Sequence, residues 1–334
     1  MIGHRSKAME ELLAAIAPGL RAVFGTEGTV LALTAAASGV MEAALRNLVR
    51  RRVLCLVNGA FSERWFQMAK LCGKEPVKCE IPWGEGFTGA LVEEALRKEG
   101  PVEAVTLVHN ETSTGALSDL ASAAAAVKKF PDSLLLVDTV SSLGGAPVEV
   151  DRNGIDLCLA GSQKALALPP GLTVVAVSRR ALDRAKTIPD RGWYFDLPAL
   201  AEAMAKNSTP ATPAIPLLFA LRKQLEKVEK GGGWGRRYEE HQKMAALADE
   251  WASKRGFEPF PKKLFRSPTT ACYRAGSLDV QKFVDALKEK GYVISNGYGK
   301  LKDQSFRIGH MGDHTAGGLQ KLLAAADEVL TLLR

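Results

Sequence analysis

From residue 29 to residue 178, short runs rich in Val, Leu and Ile alternate with longer stretches whose apolar residues recur every three or four positions. Strands buried on both faces read as continuous apolar runs, and helices packed over them carry a single apolar stripe, so the alternation predicts βα units around a covered sheet. The predicted strands are Thr29–Leu33, Val53–Val57, Pro76–Glu80, Ala104–Val108, Ser133–Val137, Asp156–Ala160 and Thr173–Val177. Helices are predicted between them, among them Val40–Arg50, Phe61–Leu71 and Leu117–Lys129. All seven runs have ordinary strand lengths, and the fold class is α/β.

The pattern changes at Ser208-Thr209-Pro210-Ala211-Thr212-Pro213, where prolines leave the chain little freedom before an amphipathic helix over Ala214–Lys230. Gly231-Gly232-Gly233 then interrupts the chain ahead of a long helix over Arg236–Lys254, and two or three strands with two helices complete it. This places a large domain at 1–232 and a smaller one at 233–334, with residues 1–20 expected against the small domain or a partner subunit. There is no internal repeat, and the run Ala121–Ala126 is helix-forming.

At 334 residues and 46% hydrophobic content, the chain exceeds the roughly 100–200 residues of one domain and has ample core. No stretch approaches the ~18 uninterrupted apolar residues of a membrane span, and Met1–Glu10 lacks the basic-then-apolar order of a secretion signal, so a cytoplasmic protein is expected. Cys55, Cys72, Cys79, Cys158 and Cys272 form no CxxC pair and read as reduced residues, with neither zinc nor a disulfide framework. The net charge of +7 suits anionic ligands, but Lys and Arg are scattered rather than gathered in a stripe, which disfavours nucleic acid.

Chemistry gathers where strands end. Gly161-Ser162-Gln163-Lys164 follows one apolar strand, and Leu168-Pro169-Pro170-Gly171 stiffens the loop beyond it, a setting that lowers an amine pKa. A lone lysine there would ordinarily be a surface residue. Its companion is Asp138, which closes the apolar run Leu134–Val137 and must meet a cation or carry a desolvation cost, unless it is a turn or N-cap aspartate ahead of Thr139-Val140-Ser141-Ser142. A lysine and an aspartate delivered from two buried strands are what a pyridoxal phosphate enzyme needs, one to bind the aldehyde and one to keep the ring nitrogen protonated.

Ala36-Ala37-Ser38-Gly39 follows the first strand and opens a helix, offering backbone N–H groups and a positive dipole end to a phosphate, although Ser38 is equally a common N-cap. Gln163 and Thr212 are further candidate phosphate donors. Phe61 lies just past the second strand and offers an aromatic face, or simply core packing. Arg307, in Phe306-Arg307-Ile308-Gly309, alternates with apolar neighbours on a short strand and suits a substrate carboxylate, where a solvated arginine is the alternative.

With Asp138-Thr139-Val140-Ser141-Ser142-Leu143-Gly144-Gly145, Gly161-Ser162-Gln163-Lys164-Ala165-Leu166, Asn58-Gly59-Ala60-Phe61, His109-Asn110-Glu111-Thr112-Ser113-Thr114-Gly115 and Phe306-Arg307-Ile308-Gly309, the chain resembles the class V aminotransferases of fold type I. The likeness is greatest to the alanine–glyoxylate and serine–pyruvate group, and it extends over nearly the whole chain. The resemblance implies a large domain with a mostly parallel seven-stranded sheet flanked by helices, a smaller α/β C-terminal domain, a pyridoxal 5'-phosphate cofactor and a homodimer with active sites at its interface. It implies that Lys164 binds the cofactor aldehyde, Asp138 pairs with the ring nitrogen, Phe61 stacks on the ring, Val140 packs beneath it and Ser113 bonds near the ring hydroxyl. Ala37, Ser38 and Gln163 would hold the phosphate, Thr209 and Thr212 would do so from the neighbouring subunit, and Arg307 would bind the substrate carboxylate.

The implied activity is ping-pong transfer of an amino group from a small L-amino acid, alanine or serine, to glyoxylate or pyruvate. Three features depart from the family pattern. The chain opens at Met1-Ile2-Gly3-His4-Arg5-Ser6 where relatives carry a Gly-Pro-Gly-Pro segment, its phosphate loop reads Ala36-Ala37-Ser38 where relatives have Ser-Gly-Thr or Ser-Gly-His, and Thr209 replaces an aromatic phosphate contact. Among rivals, a cysteine desulfurase-like lyase is disfavoured because Ser295-Asn296-Gly297-Tyr298-Gly299-Lys300 lacks a cysteine. A non-catalytic binding protein is disfavoured by the presence of Lys164, Asp138 and Arg307 together. A dinucleotide-binding Rossmann enzyme is disfavoured because no G-x-G-x-x-G follows the first strand.

Overall fold

The computed structural model of the chain describes residues 2–333. In chain order its elements are α1 (Lys7–Phe24), β1 (Thr29–Thr34), α2 (Ala37–Leu48), β2 (Arg52–Val57), α3 (Ala60–Leu71), β3 (Glu75–Glu80), α4 (Gly89–Glu99) and β4 (Ala104–Val108). A hairpin of β5 (Asn110–Glu111) and β6 (Ala116–Leu117) follows, then α5 (Leu120–Val127), β7 (Leu134–Asp138), α6 (Val150–Asn153), β8 (Leu157–Gly161) and β9 (Leu172–Val177). Helices α7 (Arg179–Lys186), α8 (Leu197–Ala205), α9 (Ile215–Lys230) and α10 (Gly233–Lys254) lead to β10 (Thr270–Arg274), α11 (Val280–Glu289), β11 (Ser295–Asn296), β12 (Ser305–Gly309) and α12 (Ala316–Leu333).

The seven predicted strands all form, and they join one sheet in the order β1-β9-β8-β7-β4-β2-β3. Strands β3, β2, β4, β7 and β8 run parallel, while β9 is antiparallel to both β8 and β1. The long apolar runs follow from the layering: every residue of β4, β7 and β8 is buried, with one apolar cluster on each face of the sheet. At the edge, β3 is only partly covered and carries Lys78 paired with Glu63 and Glu80, charges that discourage pairing with a further strand.

Several elements differ from the sequence reading, and helix α2 runs Ala37–Leu48 where Val40–Arg50 was expected. The helix expected over Leu117–Lys129 starts at Leu120, because Ala116–Leu117 is taken by the hairpin and Asp119 caps the helix by accepting from the Ser122 N–H. The long helix begins at Gly233 rather than Arg236, with the chain break carried by Gly232 at φ 103°. Residues 7–24, for which no helix was read, form α1. Within this chain α1 lies on α9 and the β1–β9 edge of the sheet rather than on the small sheet, burying Met9, Leu12, Ile16, Leu20 and Phe24.

The C-terminal segment builds a three-stranded antiparallel sheet, β10-β12-β11, whose own core includes Trp251, Tyr273, Phe283, Phe306 and Leu323. In the large sheet, β1, β2, β4, β7 and β8 all finish at the same edge, the carboxyl end where open α/β sheets receive ligands. That edge carries Thr34, Val57, Val108, Asp138 and Gly161.

Helices α1 and α9 approach closely at Gly19, where an added Cβ would lie 2.9 Å from Leu225 Cδ1 and 3.0 Å from its Cβ. In an open helix, Gly→Ala gains about 1 kcal/mol. Here overpacking outweighs that gain, and Gly19→Ala is expected to destabilise the chain by about 1–2 kcal/mol in urea unfolding, relieved in the Gly19→Ala/Leu225→Ala pair relative to Leu225→Ala alone. A stabilised single variant would contradict this packing.

Candidate active site

Asp138, 5% exposed, ends β7, and its carboxylate accepts one hydrogen bond, from the Val140 N–H at 2.8 Å. Thr139 folds the chain back onto β8, its N–H and hydroxyl both donating to the Leu159 carbonyl. Among the described residues no cation pairs with Asp138, so burial raises its pKa to about 7, against the lowering pull of the Val140 N–H and of the Lys164 charge. The turn and N-cap alternative for this residue is thereby limited to a single backbone bond.

Lys164 leaves the end of β8 in a tightly closed loop. Ser162 donates to the Pro169 carbonyl at 2.7 Å, Leu168 N–H returns to the Ser162 carbonyl, and Arg237 from α10 holds the Ala165 carbonyl at 2.9 Å. Burial lowers the Lys164 pKa, the nearby Arg307 guanidinium lowers it further, and Asp138 opposes both. A half-buried amine with a lowered pKa is a better nucleophile and proton acceptor than a solvated lysine.

Arg307 reaches the same place from β12. Its Nε and Nη2 donate to the Asn296 carbonyl at 3.2 and 3.0 Å, and its Nη1 donates to the Thr112 carbonyl at 3.1 Å. Among the described residues it has no carboxylate partner, and burial lowers its pKa. A half-buried guanidinium fixed by two carbonyls and lacking an anion suits a planar carboxylate. The structure therefore gathers Lys164, Asp138 and Arg307 from two strand ends of the large sheet and one strand of the small one.

Phe61 is the second residue of α3, and its ring is stacked on Tyr298 at 5.4 Å with an interplanar angle of 17°. The start of this helix is anchored by Glu111, fully buried on the β5–β6 hairpin, which accepts from the N–H groups of Phe61 and Ser62 and from the Ser62 and Ser113 hydroxyls. A carboxylate at a helix N-terminus meets both free N–H donors and the positive dipole end. The fit requires glycine at 59, because a Cβ there would lie 2.3 Å from Glu111 Cγ. Ser113 gives its hydroxyl proton to Glu111 at 2.6 Å and accepts from the Ala60 N–H, which leaves it only acceptor capacity toward any ligand.

Helix α2 begins at Ala37, and its N-cap is Ala36, which offers no side-chain bond. This corrects the alternative in which Ser38 is the N-cap, since Ser38 stands inside the first turn. No acidic residue occupies that turn, and Ala35 ahead of it is pinned by the Gly171 carbonyl and the Thr173 hydroxyl. A fixed helix start with uncapped N–H groups and small side chains accepts an anion. Val140 is half-buried beside Asp138, and Gln163 is exposed and folded back against Gly161. Thr209 and Thr212 stand elsewhere, lining a narrow cleft with Thr34 and Tyr194, where the Thr209 hydroxyl is buried without a partner.

Three residues of this edge escaped the sequence reading. Glu111 lay inside a quoted motif, where an acid amid Ser and Thr next to an apolar strand was a usable signal. Arg64 and Tyr298 carried none, because their proximity depends on contact between α3 and a loop of the small sheet. As a set, a buried carboxylate without a cation, a buried amine, an uncapped helix start and a carboxylate-free arginine fit a flat molecule with a cationic ring nitrogen, an electrophilic carbon and an anionic arm.

Comparison with known proteins agrees with this geometry. Residues 8–300 match the family model described as aminotransferase class-V. An uncharacterized aminotransferase of Methanocaldococcus jannaschii is 38% identical, over 93% of this chain and 82% of that protein. The serine–glyoxylate aminotransferase of Methylorubrum extorquens is 34% identical, over 97% of this chain and 84% of its own length. The crystal structure of an alanine–glyoxylate aminotransferase from Nostoc sp. superposes with a TM-score of 0.92 at 30% identity, covering 98% of this chain and 89% of that one.

Asp138 makes stability of the cofactor-free protein depend on pH in a defined direction. Its pKa rises on folding from 3.8 to about 7, so within that window the folded chain holds a proton that the unfolded chain has lost, and stability falls as pH rises. The slope is at most about 1.4 kcal/mol per pH unit. Chemical denaturation of the cofactor-free wild type and Asp138→Asn from pH 4 to pH 7 is expected to show the variant gaining on the wild type as pH increases. A pH-independent difference would contradict the assignment.

Proposed function

We propose, given that the chain belongs to the class V aminotransferase family, that it moves the amino group of a small L-amino acid, alanine or serine, to glyoxylate or pyruvate by ping-pong kinetics. It is an aminotransferase of fold type I, and its cofactor is pyridoxal 5'-phosphate. The observation that carries the site reading is the meeting of Lys164, Asp138 and Arg307 at one sheet edge, each lacking the counter-charge or partner its burial calls for. The donor is suggested by relatives named for serine–glyoxylate and alanine–glyoxylate transfer.

When bound, the cofactor supplies an aldehyde for amine exchange and a ring that withdraws electrons from the substrate α-carbon. Lys164 would hold the aldehyde through Nζ. Once displaced by the donor, the Lys164 amine, its pKa lowered by burial and by Arg307, would take the proton from the donor's α-carbon and later return one to the acceptor's. Asp138 supplies the negative charge that keeps the ring nitrogen protonated. Arg307 holds the carboxylate of donor and acceptor in turn, and Phe61 and Val140 bracket the ring. Ala37, Ser38 and Gln163 hold the phosphate, and Ser113 accepts from the ring hydroxyl.

In this reading Thr209 and Thr212 complete the phosphate site of a neighbouring subunit in a homodimer. The partnerless Thr209 hydroxyl supports this, as does the exposed Trp193 near Tyr194, whose hydroxyl faces the Thr34 carbonyl in the same cleft. Residues 233–334 form the small domain, built on the β10-β12-β11 sheet with its separate core. The five unpaired cysteines accord with a reducing, cytoplasmic location.

Purified protein supplied with cofactor is expected to show a visible absorption band that L-alanine or L-serine removes and glyoxylate restores, with parallel initial-velocity lines. Lys164→Ala should lose that band and turnover; intersecting lines, or a variant that retains turnover, would contradict the reading. Arg307→Gln is expected to raise the donor KM about 10- to 100-fold, as removal of a charged hydrogen-bond pair does, and an unchanged KM would displace Arg307 from the carboxylate.

A further inference from the structure

Beside Arg307 stands a side chain to which neither the family likeness nor the mechanism gives a task. Tyr298 sits in the loop between β11 and β12, where the Gly297 N–H donates to the Ser305 carbonyl in a turn so tight that a Cβ on Gly297 would lie 1.8 Å from the Leu301 carbonyl oxygen. The turn carries the loop across to the large sheet. A Cβ added at Gly299 would lie 3.4 Å from the Trp83 ring and 3.8 Å from the Ala60 Cβ, and the Lys300 amine lies over the Trp83 ring at 5.3 Å. Tyr298 is held there by three contacts: the stack on Phe61, a hydrogen bond from Arg64 Nη2 to its hydroxyl at 3.2 Å, and the Arg307 guanidinium 5.7 Å from its ring centre. Arg64 is itself braced, its guanidinium 4.9 Å from the Phe61 ring centre.

We propose that Tyr298 sets the size of the amino donor by standing as a fixed wall beside the carboxylate grip of Arg307. The inference rests on the reading of Arg307 given above and adds what limits the donor's side chain. A carboxylate held by a guanidinium that touches Tyr298 places the adjoining α-carbon substituents within reach of that ring. The ring is already engaged by Phe61 and by Arg307, so it serves as a boundary and not as a stacking platform for an aromatic donor. The stack on Phe61 holds the ring in place, and a pocket discriminates on size only when its wall cannot yield. Donors with one or two side-chain heavy atoms are accommodated; branched and aromatic donors meet the wall.

Three variants separate this role from a structural one. Tyr298→Ala removes the wall, Tyr298→Phe keeps it and loses only the Arg64 bond, and Tyr298→Leu retains apolar bulk against Phe61 should the alanine variant fold poorly. In the alanine variant the ratio of kcat/KM for L-phenylalanine to that for L-alanine is expected to rise about tenfold or more, with a smaller rise in the leucine variant and a change under about threefold in the phenylalanine variant. A second readout needs no turnover. Propionate and 3-phenylpropionate carry the carboxylate but no amine, and calorimetric titration of the cofactor-loaded enzyme should show their Kd ratio moving about tenfold toward 3-phenylpropionate in the alanine variant only.

Wild type that transaminates L-alanine and binds propionate, with both ratios unchanged in the alanine and leucine variants, would overturn the wall while leaving the underlying reading intact. Wild type that does neither would overturn that reading, and the wall with it. A shift of the phenylalanine variant as large as that of the alanine variant would also contradict the proposal, since it would assign discrimination to the hydroxyl.

Discussion

A carboxylate sealed at the end of a buried strand, with one backbone N–H as its hydrogen-bond donor, is the constraint around which this molecule is arranged. Asp138 is 5% exposed and has no cationic partner among the described residues, so burial lifts its pKa to about 7. Such an arrangement persists where a ligand supplies the missing charge. The remainder of the site repeats this incompleteness: Lys164 is half-buried with no acceptor for its amine among the described residues, Arg307 has only carbonyls to hold it, and the first turn of α2 has no side-chain cap. Each deficiency alone would be a destabilising oddity. Together at one edge they describe the outline of a single charged, planar cofactor and its carboxylate substrate.

What fixes these incomplete groups is a second layer of buried hydrogen bonds. Glu111 binds the start of α3 and the Ser113 hydroxyl, so one buried carboxylate sets both Phe61 and Ser113. Asn110 donates to the Ser141 carbonyl and the Thr269 hydroxyl, and Thr269 in turn donates to the Ser141 carbonyl, which ties the hairpin to the loop after β7 and to the entry of the small sheet. Arg237 connects α10 to the Lys164 loop. The small sheet is thus coupled to the reactive edge through bonds at three places, and Arg307 is delivered by a strand whose position depends on all of them. Shared hydrogen bonds of this kind couple the elements they join, with the Asn110 Oδ1 and the Arg237 Nε left without a partner among the described residues.

The contrast between what could be read from the chain and what could not follows from the range of the interactions. Strands β4, β7 and β8 were legible because burial on both faces leaves an unbroken apolar run, and Asp138 and Lys164 were legible because each interrupts or follows such a run. Arg307 showed itself by alternation with Phe306 and Ile308. Helix α1 was overlooked although Met9, Leu12, Ile16 and Leu20 keep helical spacing, its Pro18 and leading polar residues having obscured the stripe. The hairpin at 110–117 replaced the start of a helix because two-residue strands leave too short a pattern to detect. Glu111 left a trace as an acid amid Ser and Thr beside an apolar strand, but Arg64 and Tyr298 lie beyond pattern altogether: their significance comes from a contact between positions 234 residues apart, which composition and periodicity do not encode.

The most direct test of this account follows the ring nitrogen itself. With cofactor labelled with 15N in the ring and bound to the wild-type enzyme, the nitrogen chemical shift at pH 7 to 8 is expected to be that of a protonated, hydrogen-bonded ring, moving to the neutral value in Asp138→Asn. A neutral ring nitrogen in the wild type, or a shift indifferent to the loss of the carboxylate, would contradict the pairing on which the reading of the site depends.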